Sequence, residues 1–269
     1  MPRIIYEPKG RAKEYSASAL NHYLGCDHEC LYCFNKLRPY FTNPPHLPKN
    51  CLNRVGKEAY VLEGTNDQVL LSFAGDPYCK AEMTQHVTRQ VLEIFLKYRI
   101  PTAILTKGGK RCLKDLELFK QFGKGIKIGA TLTFSNDKHS LHYEPQAALP
   151  SERFETLEIL HNAGIRTWAS LEPVFDIQQT LEIIDITHTY VDSYKVGVLN
   201  GYNLAKNNNN PFKFNTQPDR WKSLLHKAVK KLRGYKKQFY IKKDLHAADP
   251  TFKSTQNEKD MNYLTVKAF

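Results

Sequence analysis

The sequence predicts an α/β fold in which a parallel sheet curves into a partial or complete barrel. Three observations carry that prediction: apolar runs with the length of buried strands, apolar stripes at helical period, and a regular alternation of the two. Residues 18–24 form the first strand and lead into a cysteine-rich loop. Residues 69–75 are an apolar run ending in Gly, the second strand. Residues 82–98 then place Val87, Val91, Leu92, Ile94, Phe95 and Leu96 on a helical stripe. Residues 101–106 and 126–134 are the third and fourth strands, with a helix over 112–122 between them. A helix over 151–162 follows, with Ser151 placed as its N-cap and Gly164 just past its end. Residues 166–171, 177–187 and 194–199 continue as strand, helix and strand, which makes about six βα units.

Two segments fall outside the alternation. Residues 39–55, with Pro44, Pro45 and Pro48, read as a long loop, and Asn207 to Pro211 as a polar low-complexity turn. The expected organisation is an N-terminal arm over 1–15, a core over 16–200 and a basic C-terminal extension over 201–269 packed on that core.

Of the 269 residues, 41% are hydrophobic, enough for a large core and too many for a disordered chain. No stretch approaches the length of a membrane span, and the first residues carry no apolar signal segment. Six unevenly spaced cysteines without an export signal point to a reducing cytoplasm and to metal or redox chemistry rather than disulfides. The formal charge is +12 and the isoelectric point about 9.3, a balance that favours polyanionic partners, nucleic acid first. Between Asp219 and Asp244 run ten lysines and arginines with no acid among them, including Lys230, Lys231, Lys236 and Lys237. Tyr235, Phe239 and Tyr240 are interleaved, and aromatic rings beside cations can stack on unpaired bases. The competing reading of that run is a solvated helix face.

In parallel α/β folds the ligand site gathers at the C-terminal ends of the strands. Those ends are the cysteine loop, then 74–79, 106–109, 133–137, 172–176 and 200–202, and polar, charged and glycine residues cluster there. Cys26, Cys30 and Cys33 place three thiols on one short turn. Thiolates suit zinc or an iron–sulfur cluster. Zinc would require a fourth ligand, with His22 and His28 nearest in sequence, whereas a [4Fe–4S] cluster can keep its fourth iron open.

The Cys-x3-Cys-x2-Cys spacing, with Tyr32 before the last cysteine, resembles the signature of the radical S-adenosylmethionine (SAM) superfamily. Residues 21–26, Gly75-Asp76-Pro77-Tyr78, residues 104–107, Glu144-Pro145 followed by Arg153, and Gly164-Ile165 resemble successive landmarks of its spore photoproduct lyase-like branch, also called DNA-repair-photolyase-like. The resemblance runs over residues 15–176 and more weakly to 200. It implies a partial (β/α)6 radical SAM barrel with SAM chelating the open iron of a [4Fe–4S] cluster. An electron from a reductase, flavodoxin or ferredoxin then cleaves SAM to methionine and a 5′-deoxyadenosyl radical, which takes hydrogen from a substrate.

The resemblance also implies roles. Cys26, Cys30 and Cys33 are the iron ligands; Tyr32 lies near the adenine; Gly75, Asp76 and Pro77 meet the methionine amino group; Lys107 meets its carboxylate. Thr131, Thr133 and Ser135 offer hydroxyls to the ribose, and Glu172 a polar contact at the fifth strand, although strand threonines and acids beside turns commonly serve packing alone. Cys51 reads as loop-exposed and Cys112 as a packing residue at a helix start. Cys79, near the pocket, is the candidate hydrogen-atom donor, with Tyr78 beside it as the second catalytic candidate. Spore photoproduct lyases carry their donor cysteine just before the corresponding Asp, where this chain has Phe73, Ala74 and Gly75. The expected function is a radical SAM enzyme acting on nucleic acid. The alternatives are the same enzyme class acting on a protein or small molecule, and a nucleic-acid-binding protein with a structural zinc or iron–sulfur site.

Overall fold

A computed structural model describes residues 3–198, 218–255, 258 and 266. Eight strands form one open sheet in sequential order: β1 (Ile5–Tyr6), β2 (Ser18–Leu20), β3 (Val69–Leu71), β4 (Thr102–Thr106), β5 (Ile126–Thr131), β6 (Arg166–Leu171), β7 (Ser193–Val196) and β8 (Gln238–Ile241). β1 runs antiparallel to β2, and every later neighbour pairs parallel. The helices are α1 (Cys51–Val61), α2 (Glu82–Gln85), α3 (Val87–Lys97), α4 (Leu116–Gln121), α5 (Asp137–Tyr143), α6 (Pro150–Asn162), α7 (Ile177–Thr187), α8 (Pro218–Gly234) and α9 (Lys243–His246). The result is the expected partial barrel, with β1 and β8 added to the six strands counted.

Strand side chains alternate between faces, so each strand serves two cores. Val69 and Leu71 of β3 pack outward with Val91, Leu92 and Phe95 of α3, while Leu70 turns inward with Ala103, Leu105 and Trp168. Gly129 makes the inner layer possible: a Cβ there would lie 2.4 Å from the Trp168 ring. Trp168 in turn donates its indole N–H to the Ile104 carbonyl at 3.0 Å.

Several expectations need correction. Residues 51–61 are the helix α1, because Cys51, Val55 and Ala59 recur at helical spacing and are buried; Cys51 is therefore packed rather than loop-exposed. The helix read over 82–98 breaks at His86, whose φ is 52°. The 112–122 segment opens as a 3-10 turn, Gly109–Asp115. α6 begins at Pro150, which suits the first helical position, so Leu149 takes the N-cap and Ser151 instead donates its hydroxyl to Asp137 at 2.7 Å. Gly164 does close that helix, at φ 80°.

The C-terminal part supplies β8, and α8 buries Leu224, Leu225, Ala228, Val229 and Leu232 beneath it. Phe239 and Tyr240 are consequently core residues rather than base-stacking ones. Residues 200–202 and the Asn207 to Pro211 turn lie outside the described residues. No helix of the described residues is long and apolar enough to cross a membrane.

Candidate metal and cofactor site

The loops after β2, β3, β4 and β6 enclose a cavity of about 200 Å³ at the C-terminal edge of the sheet. Cys26, Cys30 and Cys33 form one wall. Glycine shapes that wall: Gly25 has φ 90°, and a Cβ there would lie 2.0 Å from the Thr42 carbonyl oxygen. Gly75, on the neighbouring loop, would place a Cβ 2.6 Å from the carbonyl oxygens of Tyr23 and Gly25. Gly75 lets the β3 loop lie directly on the cysteine loop, and Gly25 lets the segment at Thr42 do the same.

All three cysteines are free. Burial pushes the Cys30 thiol up to about 11 despite nearby Lys107, and burial with Asp76 pushes Cys26 upward too. Such thiols ionise only when a cationic centre compensates, so the loop suits a metal cluster. Cys26, Asp27 and His28 bring one ligand atom each within 4.8 Å, the geometry of a competing single-ion site. The protein already uses that histidine. Its Nε2 accepts from Arg111 Nη1 at 3.3 Å, its Nδ1 faces Asp76 at 3.5 Å, and burial pushes it down to about 4. An ion on Nε2 would have to displace the guanidinium. Among the described residues, three thiols beside a histidine already engaged by Arg111 fit a [4Fe–4S] cluster with an open iron better than tetrahedral zinc.

Asp76 lines the cavity, yet its oxygens accept from the Thr106 hydroxyl at 2.6 Å, Lys107 N–H at 2.7 Å and Tyr78 N–H at 2.8 Å. Burial would raise its pKa, but His28 and these donors hold it below the usual value. It brackets the β3 and β4 loops. Lys107 Nζ lies 3.5 Å from Glu144 and 5.1 Å above the Tyr32 ring. Glu144 also accepts from Tyr32 and, at 2.5 Å, from Arg153. Arg153 reaches the carbonyls of Thr131 and Ala148, so this buried network ties cysteine loop, β5 and α6 together. Thr131 lines the cavity, and Thr133 is buried with its hydroxyl 3.2 Å from Tyr32. Gly75 and Lys107 line it as well, whereas Pro77 is buried behind it with its carbonyl bonded to Thr88.

Three further candidates are not brought in. Ser135 faces a separate shallow recess and donates to Glu182 at 2.8 Å. Tyr78 points into the helix layer, its hydroxyl 2.9 Å from Asp115. Cys79 is fully buried in the outer core with its thiol pushed up to about 12, so neither it nor Tyr78 lines the cavity as a hydrogen-atom donor would. The sequence placed both by their nearness to a strand end, but the turn after Asp76 sends them outward.

A further part of the lining has no local sequence motif: Arg11, Tyr15, Phe73, Glu172 and Lys242. Glu172 accepts from Lys242 at 2.8 Å, from Arg11 at 2.5 Å and from Tyr15, so it knits the N-terminal arm and β8 to β6. The described cations of the 230–237 run lie elsewhere. Lys236 and Lys237 directly precede β8, at the N-terminal edge of the sheet, and Lys231 pairs with Asp185 near the end of α7. They occupy the edge opposite the cavity.

A family model described as the radical SAM superfamily matches residues 20–189. An uncharacterized protein of Methanocaldococcus jannaschii is 26% identical over 191 residues, 67% of this chain and 70% of that protein. Among solved structures, a spore photoproduct lyase variant with bound AdoMet and dinucleoside spore photoproduct superimposes with TM-score 0.66 at 9% identity, covering 89% of this chain and 79% of that one. Streptococcus suis SuiB bound to S-adenosylmethionine gives TM-score 0.64 at 14% identity over 88% of this chain. The chain spans about half the length of SuiB, 53%.

Proposed function

The chain belongs to the radical SAM superfamily, and from that premise we propose an enzyme that takes hydrogen from a nucleobase of a nucleic-acid strand. The cofactors of the superfamily are a [4Fe–4S] cluster and SAM, which together supply a 5′-deoxyadenosyl radical for hydrogen abstraction. Cys26, Cys30 and Cys33 would hold the cluster, with Gly75, Lys107, Tyr32 and Thr131 lining the space for SAM. Asp76, Glu144 and Arg153 keep these groups in place from behind.

The observation that carries the substrate reading is the cavity itself: Tyr15 and Phe73 supply aromatic surface, and Arg11 and Lys242, both held by Glu172, bring cationic groups beside those rings, in a chain of net charge +12. Aromatic rings beside cations suit a single unpaired base. The likeness to a lyase bound to a dinucleoside photoproduct supports this at the level of fold. The basic edge at Lys230 to Lys237 faces away from the cavity and would add only salt-sensitive affinity for the strand. Enzymes of the class need an external reductant, here a reductase, flavodoxin or ferredoxin, and the free thiols suit a reducing cytoplasm.

The test is anaerobic incubation of the iron-loaded enzyme with SAM, dithionite and base-deuterated oligonucleotides. Deuterium in 5′-deoxyadenosine supports the reading. Label that arrives only from a deuterated peptide or small molecule refutes the nucleic-acid substrate and keeps the enzyme class. Preparations that never cleave SAM refute both.

A further inference from the structure

Phe73 holds a backbone conformation that its side chain disfavours. Its φ is 92°, whereas the other described non-glycine residues with positive φ, among them His86 and Lys236, lie between 52° and 57°. For a bulky residue this is an outlier, and such strain persists only where neighbours over-determine it. The neighbours here are parts of the cysteine loop. The Asn35 amide, just past Cys33, donates to the Phe73 carbonyl. Ala74 N–H donates to Asn21 Oδ1 at 2.8 Å, and Ala74 in turn accepts from Gly25 N–H at 3.0 Å, both just before Cys26. Residues on both sides of the iron-ligand triplet therefore lock one peptide segment.

What the lock presents is a ring. Phe73 is half-buried and lines the cavity, and Tyr15 meets it edge-to-face at 5.7 Å and 79°. Leu105 and Trp168 back the same inner layer. A ring needed only for packing does not require a strained backbone. We propose that Phe73 is the specificity-determining platform of the cavity, held under strain so that its ring stacks on the planar group of a nucleobase. This deepens the nucleic-acid reading and rests on it.

The experiment uses the anaerobic iron-loaded enzyme with a fluorescein-labelled oligothymidylate, read by anisotropy, and SAM affinity measured in parallel. Loss of one base–aromatic stack weakens strand binding by about 5- to 150-fold. That loss is expected for Phe73→Leu, with SAM affinity unchanged, and Phe73→Tyr should restore strand binding. Melting tests the strain separately. Both Phe73→Gly and Phe73→Ala lose the ring, but only glycine accepts this φ freely, so the glycine variant should melt about 2–4 °C higher. Wild-type binding of the strand with equal binding by Phe73→Leu overturns the platform and leaves the substrate reading intact. A fall in SAM affinity instead assigns the ring to the cofactor and overturns it too. An alanine variant as stable as the glycine one removes the strain argument. A wild-type enzyme that binds no strand refutes the nucleic-acid reading, and the stacking partner with it.

Discussion

Replacing Glu144 by Gln tests the network behind the cysteine loop. Glu144 and Arg153 are 1% exposed each and 2.5 Å apart, and Lys107 and Tyr32 share the same carboxylate. Burial alone would raise the Glu144 pKa, but Arg153 and Lys107 outweigh it and bring the group from 4.5 to about 2. A folded pKa below the unfolded one stabilises the fold above the unfolded value, and the gain is lost as pH falls through the folded value. Lowering by about 2.5 units corresponds to about 3 kcal/mol at neutral pH. Removing one partner of a buried pair costs about 3–5 kcal/mol, which agrees in order of magnitude. For a chain of this size about 3 kcal/mol lowers the melting temperature by about 6–12 °C. The assay is urea denaturation of wild type and Glu144→Gln from pH 7 to pH 3. The gap should be full above pH 5 and fall to less than half by about pH 3, as the native carboxylate approaches protonation. Adding Arg153→Met to Glu144→Gln should recover part of the loss, since the stranded guanidinium is then gone. A gap below about 1 kcal/mol at pH 7, the range of exposed pairs, or one that does not change with pH, would refute the buried-pair account.

Three further outcomes follow from the same geometry. Glu172→Gln leaves Lys242 and Arg11 without their shared carboxylate, so hydrogen exchange should rise at residues 10–15 and 238–242 before the rest of the sheet; uniform exchange would show that Glu172 does not tie the two segments. Single alanine substitutions at Cys26, Cys30 and Cys33 should each abolish iron loading, while Cys51→Ala, Cys79→Ser and Cys112→Ala keep the iron absorbance and SAM cleavage; loss of SAM cleavage in Cys79→Ser with intact iron would return that thiol to the reaction. Charge reversal at Lys230 and Lys236 should reduce the salt dependence of strand binding without changing deuterium transfer, and a loss of transfer would contradict the placement of that edge away from the cavity.

The barrel core was legible because its strands are buried on both faces and read as apolar runs, and because α3 and α7 carry apolar stripes at helical period. α1 was hidden by the prolines before it and by Gly56 within it, so only the Cys51, Val55, Ala59 spacing signalled a helix. The cysteine wall was legible for a different reason: three thiols on one turn are local, and their spacing alone marks the loop. Glu144 and Arg153 stood out as landmarks, yet their pairing with Lys107 and Tyr32 joins β4, α5, α6 and the cysteine loop, and no local pattern encodes that. Cys79 was misplaced by the same limit. Nearness to a strand end says nothing about which way a turn sends the next side chain.

The two parts of the cavity lining also differ in where they come from. The cysteine wall lies inside the span that matches the superfamily, residues 20–189, as do Phe73 and Glu172. Arg11 and Tyr15 precede that span, and Lys242 follows it just after β8. Glu172 is the joint between the two sets, because it binds Arg11, Tyr15 and Lys242 together. The cysteine loop therefore belongs to the shared span, while Arg11, Tyr15 and Lys242 come to the cavity from its flanks. Changes in the arm or just after β8 should alter which substrate is accepted without touching the iron site. Changes at Glu172 should disturb the arm and the segment after β8 together, since one carboxylate holds Arg11, Tyr15 and Lys242.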